Sequence, residues 1–382
     1  MMILAAIVGA LIILVVLFEA FETIVLPRRV TRQFRLTRFY YIFSWRRWRS
    51  VSNLFRKPKR RESFLSWFGP LSLIGLLVVW ALGMITGFAL LEWASGSQLN
   101  TADGNPHSFW TDLYMSGTTF FTLGLGDVTP HSPLARVLTV IEGGTGFGFL
   151  AVVIGYLPTI YGAFSRRETN ITLLDARAGS PPSAGELLRR HAHDENSRRA
   201  VNDLLADWER WSAELLESHL SYPVLCYYRS QHDNESWLSA LTGILDTCAL
   251  VLTGVDGIPP RQAQLTFAIA RHALVDLAQI FSSPPKKPPV ERLCPEDLVV
   301  LRKILRDAGV PLRDGQAADE RLAELRALYE PYAYSLANYM LLRLPAWFPA
   351  KDQRDNWQTS AWGRISRGIE AEGLEAPKEE HF

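Results

Sequence analysis

Cysteine is scarce: Cys226, Cys248 and Cys294 are the only three in 382 residues. An odd number at wide spacing excludes a disulfide framework. A charge excess is also missing. Forty Lys and Arg face 39 Asp and Glu, a formal net charge of +1, which argues against an evenly basic nucleic-acid binder. No strand–glycine–helix element of a nucleotide fold appears, because the run Gly144–Gly148 (GTGFG) lies inside an apolar stretch. No acid/base or metal-ligating constellation stands out. His191 and His193 lack the i, i+4 spacing that sets two ligands on one helical face, and read as surface residues. The chain gives no sign of being an enzyme.

What is present is unevenly distributed. Residues 1–163 hold 14 Lys/Arg against 8 Asp/Glu, and residues 164–382 hold 26 against 31. The mean hydropathy of +0.03 averages an apolar first part and an amphipathic second part. The pattern predicts four regions: 1–27, an N-terminal span; 28–63, a basic segment; 64–165, a second membrane region; and 166–382, a helical body with a sub-boundary near 282–290. Residues 2–18 carry no charge. Continued to Leu26, the run is long enough for a hydrocarbon core of about 30 Å. It lacks the basic start, short apolar core and small-residue site of a cleaved signal peptide. Further spans are expected over Leu65–Trp93 and Ala135–Phe164.

Thirteen Lys/Arg and no acid lie between Arg28 and Arg61, whereas 94–108 has no Lys/Arg and carries Asp103. The positive-inside rule then places 28–61 and the C-terminal body in the cytoplasm, and the N-terminus outside. A multi-pass protein of the cell membrane is expected.

Between the second and third spans lies FWTDLYMSGTTFFTLGLGDVTP, residues 109–130. Phe109–Phe121 suits a short re-entrant helix. Thr122, Leu123, Gly124, Leu125 and Gly126 form irregular backbone, tolerated at membrane depth only inside protein or along a watery cavity. Alternating glycines let successive carbonyls turn one way, and a ring of such carbonyls replaces a cation's hydration shell.

This segment resembles the pore domain of the potassium-channel superfamily, with two spans flanking one pore loop. TLGLGD stands where that family has T-V-G-Y-G-D, and Ser116, Pro130 and Arg136 match its flanks. The resemblance covers about Leu65–Phe164. It implies an all-α membrane protein with three transmembrane helices, a pore helix and filter, and an all-α cytoplasmic domain. It also implies a homotetramer with permeant potassium ions in the filter, Asp127 as an acidic outer ring, and a hinge at Gly146. Leu125 departs from the family's aromatic, Phe121 from a threonine, and Met115 from a pore-helix tryptophan. The altered braces leave room for relaxed selectivity. A non-conducting membrane receptor that keeps a pore-like fold is the alternative.

Several side chains remain to be placed. Glu142 is expected behind the pore helix near Ser116 or Thr118, bracing the filter together with Phe121; the alternative is a solvated carboxylate nearer the outer surface. Gly146 suits either close packing or bending, and Pro158 a bend near the gate. Glu19 and Glu22 share one face and should pair with loop arginines. Arg29, Arg32, Arg35 and Arg38 recur every third residue, as in a voltage-sensing helix. Pro27 and the lack of further spans favour an interfacial helix on anionic lipid.

The second part reads as helices near 184–194, 196–220, 235–254, 260–281, 295–308 and 317–344. Asp175–Ala184 reads as a linker, and Leu238–Gly254 as a buried core helix. Tyr332–Phe348 suits a membrane surface or an oligomer interface. Trp208 and Trp211 mark a packing face. No ligand is legible for this body, so an unknown cytosolic ligand stays open.

Overall fold

A computed structural model describes residues 1–26, 35–96, 99–101, 108–192, 194–231 and 235–349. The chain forms two compact units, Met1–Gly162 and Ala163–Phe382. The division falls three residues before the boundary expected at 165.

Among the described residues, the regular structure of the first unit is helical apart from one two-stranded ribbon. Helix α1 (Met2–Ala20) continues into a single π-helical turn, Phe21–Val25. It packs along α4 (Phe68–Ala94). The seam is built on glycine. A Cβ at Gly9 would lie 2.6 Å from the Gly87 carbonyl oxygen, and one at Gly83 2.9 Å from Val16. Gly83 and Gly87 form the G-x-x-x-G spacing that lets membrane helices approach closely. Between them in sequence, α2 (Leu36–Ser52) and α3 (Pro58–Ser66) make a short hairpin. Trp48 stacks on Phe64 at 4.4 Å and donates its indole N–H to the Phe64 carbonyl at 3.1 Å. Trp45 is buried against Phe68.

Strand β1 (Leu99–Thr101) pairs antiparallel with β2 (Val128–Pro130) on either side of the short helix α5 (Phe109–Phe120). Helix α6 follows as Pro133–Ala178 and is longer than expected. The sequence reading ends the third span at Phe164 and puts a linker at 175–184. Instead the helix runs on to Ala178. No glycine or proline lies between Ala163 and Ala178, and Ile171, Leu174 and Ala178 are buried at helical spacing. Gly179, at φ +84°, ends it.

In the second unit α7 (Ala184–Arg190), α8 (Glu195–Ser221), α10 (Pro260–Ile280), α12 (Gln316–Ala327) and α13 (Glu330–Met340) gather around α9 (Trp237–Gly254). Helix α9 is apolar and long enough to span a membrane, but 89% of it is buried inside this unit. Helix α11 (Pro295–Asp307) packs on α7. The single helix expected over 317–344 is two, because Pro331 lacks the amide that would carry α12 onward. The membrane-surface or interface reading of Tyr332–Phe348 is also corrected. Ala333, Leu336, Met340 and Trp347 point into the unit's own core. The proline-rich connector 282–289 lies on α13, tied by Ser283 to Ser335 at 2.7 Å and by the Lys286 amide to the Pro331 carbonyl at 3.1 Å.

Candidate pore and its supports

Helix α5 ends by turning its last carbonyls onto the segment that follows. The Thr119 carbonyl accepts the Thr122 amide at 2.9 Å. The Thr118 carbonyl accepts the Leu123 and Gly124 amides at 2.8 and 3.3 Å. The chain then alternates in hand: Thr122, Gly124 and Gly126 take φ of +58°, +53° and +79°, while Leu123 and Leu125 do not. Glycine does this freely. A β-branched threonine there is a rare outlier, the kind of local strain that collects at functional segments. Thr122–Gly126 is exposed in a single chain.

Asp127 is held from α5. The Tyr114 hydroxyl donates to its carboxylate at 2.9 Å. The neighbour Met115 is buried instead, so the tether missing at 115 is supplied one residue earlier. The Arg136 guanidinium donates to the Pro130 carbonyl at 3.4 Å.

Behind α5, Glu142 of α6 is fully buried and lies against the Ser116 hydroxyl, which also lies 2.8 Å from the Ile85 carbonyl of α4. Thr118 turns its side chain back to the Met115 carbonyl; its backbone carbonyl is what meets Leu123 and Gly124. Phe121 caps α5 and is 57% exposed, edge-on to Phe120. The aromatic packed inside the unit is Phe120, against Phe149. Gly146 is a contact point: a Cβ there would lie 2.0 Å from the Phe120 carbonyl oxygen. Gly144, Gly148 and Gly155 face open space. Pro158 sits within a helix that continues past it.

Sequence reasoning missed Glu92 and Asp112. Both are fully buried, on α4 and α5, and the Thr139 hydroxyl of α6 lies 3.2 Å from Glu92. The available signal was a carboxylate one turn from the end of an apolar span.

At the other end of α1, Glu19 accepts the Thr37 amide and hydroxyl at 3.0 and 2.9 Å, at the start of α2. Glu22 pairs with Arg35 at 3.5 Å, and Arg35 also reaches Thr23 at 3.1 Å. Arg38 lies in the first turn of α2. Arg29 and Arg32 lie outside the described residues, as do Asp103 and His193.

A second missed group anchors the end of α6. Arg167 is 4% exposed. Its guanidinium donates to the Leu225 and Tyr228 carbonyls, both at 2.9 Å, meets Glu168 at 2.8 Å and lies 3.2 Å from His219 Nε2. An arginine only donates, so Nε2 is the acceptor and the imidazole is neutral. Burial first, and the Arg167 charge second, push the His219 pKa well below the usual histidine range. The Trp211 indole donates to the Arg167 carbonyl at 3.3 Å.

Residues 75–161 match the family described as "Ion channel". The match takes in the glycine-alternating segment and most of the two apolar helices on either side of it. The uncharacterized membrane protein YdjJ of Bacillus subtilis (strain 168) is 25% identical over 224 residues. That alignment covers 58% of this chain and 62% of the relative. No solved structure matches the chain. The protein is a membrane protein in which one segment, residues 75–161, is similar to an ion-channel family.

Proposed function

We propose that four copies of this chain surround one axis to form a potassium-conducting cation channel. The observation that carries this reading is the alternation of φ at Thr122, Gly124 and Gly126, the backbone hand that aims successive carbonyls at one line of ions. Leu123 and Leu125 support that backbone from behind, with side chains that offer only dispersion contacts. Asp127, tethered by Tyr114, supplies an acidic outer ring. Ser116, Thr118 and Glu142 brace the filter from α5 and α6, and Phe121 meets a neighbouring copy.

The need for copies has its own support. Only 11% of the apolar window of α6 is buried in one chain, against 56% for the window ending in α4. Exposed Phe147, Leu150 and Ile154 need lipid or another subunit. Gly146 and Pro158 shape the gate, and α6 carries movement to and from the helical body through Arg167. That body is cytoplasmic, the N-terminus is outside, and the basic hairpin α2–α3 rests on anionic lipid. Permeant potassium is the only cofactor, nucleic acid is not a partner, and the body's ligand is an unidentified cytosolic compound or protein.

Planar-bilayer recording of the purified full chain tests this. The reversal potential in mixed sodium and potassium should follow potassium. Equal permeability would remove the selectivity claim. Silence under every voltage, pH and lipid condition would favour the non-conducting receptor.

A further inference from the structure

Two buried glutamates of the pore unit carry the same hydrogen-bond shortage. The Ser116 hydroxyl faces two groups, the Ile85 carbonyl at 2.8 Å and the Glu142 carboxyl. The Thr139 hydroxyl also faces two, the Ala135 carbonyl at 2.8 Å and the Glu92 carboxyl at 3.2 Å. A hydroxyl has one hydrogen, and a backbone carbonyl has none. When that hydrogen serves the carbonyl, the carboxyl contact is left without one in both cases. The remaining contact joins two oxygens and needs a proton from the carboxyl.

The surroundings agree. Glu92 and Glu142 are both fully buried. The second carboxyl oxygen of each, Oε2, has no hydrogen-bond partner. No arginine or lysine pairs with either among the described residues. The titratable groups that act on them are acids on the packed helices: Asp112 of α5 on Glu92, and Glu92 of α4 on Glu142. Arg136, in the first turn of α6, is turned to the Pro130 carbonyl. An ionised carboxylate in such a place would bury a charge with neither a counterion nor enough donors.

We infer that Glu92 and Glu142 are held as neutral carboxylic acids that donate to Thr139 and Ser116, making a two-proton site that links α4, α5 and α6 behind the filter segment. The protons are the ligands of this site. Each one completes a chain from carboxyl to hydroxyl to carbonyl: Glu142 to Ser116 to Ile85, and Glu92 to Thr139 to Ala135. Removing the Glu142 proton makes the Ser116 hydrogen serve two acceptors, and the tie from α5 to α4 loosens.

Infrared spectroscopy of the full chain in lipid vesicles tests this without measuring current, so its failure is separate from a failure of the channel reading. At neutral pH the spectrum should hold deuterium-sensitive carbonyl bands of protonated carboxylic acids. Glu142→Gln should remove one component and Glu92→Gln another. Ser116→Ala leaves the Glu142 acid without its acceptor, so that band should persist and move to higher frequency. A neutral-pH spectrum of the unmutated protein without protonated-carboxyl bands would overturn the inference, even if a variant fails to fold. So would bands that survive both glutamine substitutions.

Discussion

The two units bury ionisable groups in opposite ways. In the pore unit Glu92 and Glu142 meet hydroxyls and, among the described residues, no cation. In the helical body Asp246 is fully buried and faces both guanidinium nitrogens of Arg292, at 2.5 and 3.1 Å, plus the Tyr329 hydroxyl at 2.6 Å. Glu330 is shared by Arg292 and Arg326. Burial pushes the Glu330 carboxyl up, and the Arg292 charge opposes it. A membrane segment offers no water to a displaced charge, so a proton is the cheaper partner there. The helical body instead keeps its buried acids charged against arginine, an arrangement that holds only while the pair stays intact.

The filter should give the largest effect. Gly124→Ala forces a Cβ onto a backbone held at φ +53°, at a cost of about 1–2 kcal/mol in each copy. Current in planar bilayers should disappear while the protein still purifies as an oligomer. Retained conduction would show that the alternating hand is not what carries ions.

Breaking the buried pair comes next. Arg292→Met leaves Asp246 and Glu330 without their shared cation, and removing one partner of such a pair costs about 3–5 kcal/mol. Thermal unfolding of the full chain in detergent should shift strongly downward in the transition of the helical body. An unchanged transition would mean that water reaches Asp246.

Gly146→Ala ranks third. The added methyl would overlap the Phe120 carbonyl, and overpacking costs about 1–3 kcal/mol. The expected outcome is a less stable pore unit, read as a lower unfolding temperature of that transition, whether or not a gate bends there. The sequence left packing and bending equally open; the 2.0 Å approach makes packing sufficient to explain the glycine.

That contrast shows what was legible. The pore segment was readable because its signals are local: three spans of the right length, a glycine alternation and an acid beside it. The position of Glu142 near Ser116 followed from filter spacing. What could not be read depended on partners far apart in sequence. Gly83 and Gly87 gain meaning only once α1 lies on them, with Val16 against Gly83 and Gly9 against Gly87. Asp246 finds Arg292 across 46 residues. Arg167 donates to the Leu225 and Tyr228 carbonyls, which lie far along the chain. The overlong α6 was missed for a different reason: the third span was ended with its apolar run at Phe164, although helices run readily through the arginines that follow.

The smallest effect expected is an acid dependence at His219. Its pKa is held well below the usual histidine range by burial and by Arg167, so the folded body keeps the ring neutral while the unfolded chain takes up a proton near its ordinary pKa of about 6.5. Stability is therefore fully present above that value and falls as pH drops below it. His219→Gln keeps an acceptor for Arg167 without a titrating ring. The variant should lose part of the decline in unfolding temperature below about pH 6.5 and match the parent at pH 8. Equal acid sensitivity in both proteins would mean that His219 already exchanges protons with water, and that Arg167 is a looser anchor for α6 than its four contacts imply. Arg199→Ala is the natural comparison, since its bond to Glu195 joins side chains that are 68% and 78% exposed. Such a pair contributes about 0.3–0.5 kcal/mol, and its loss should leave the acid profile of the body where it was.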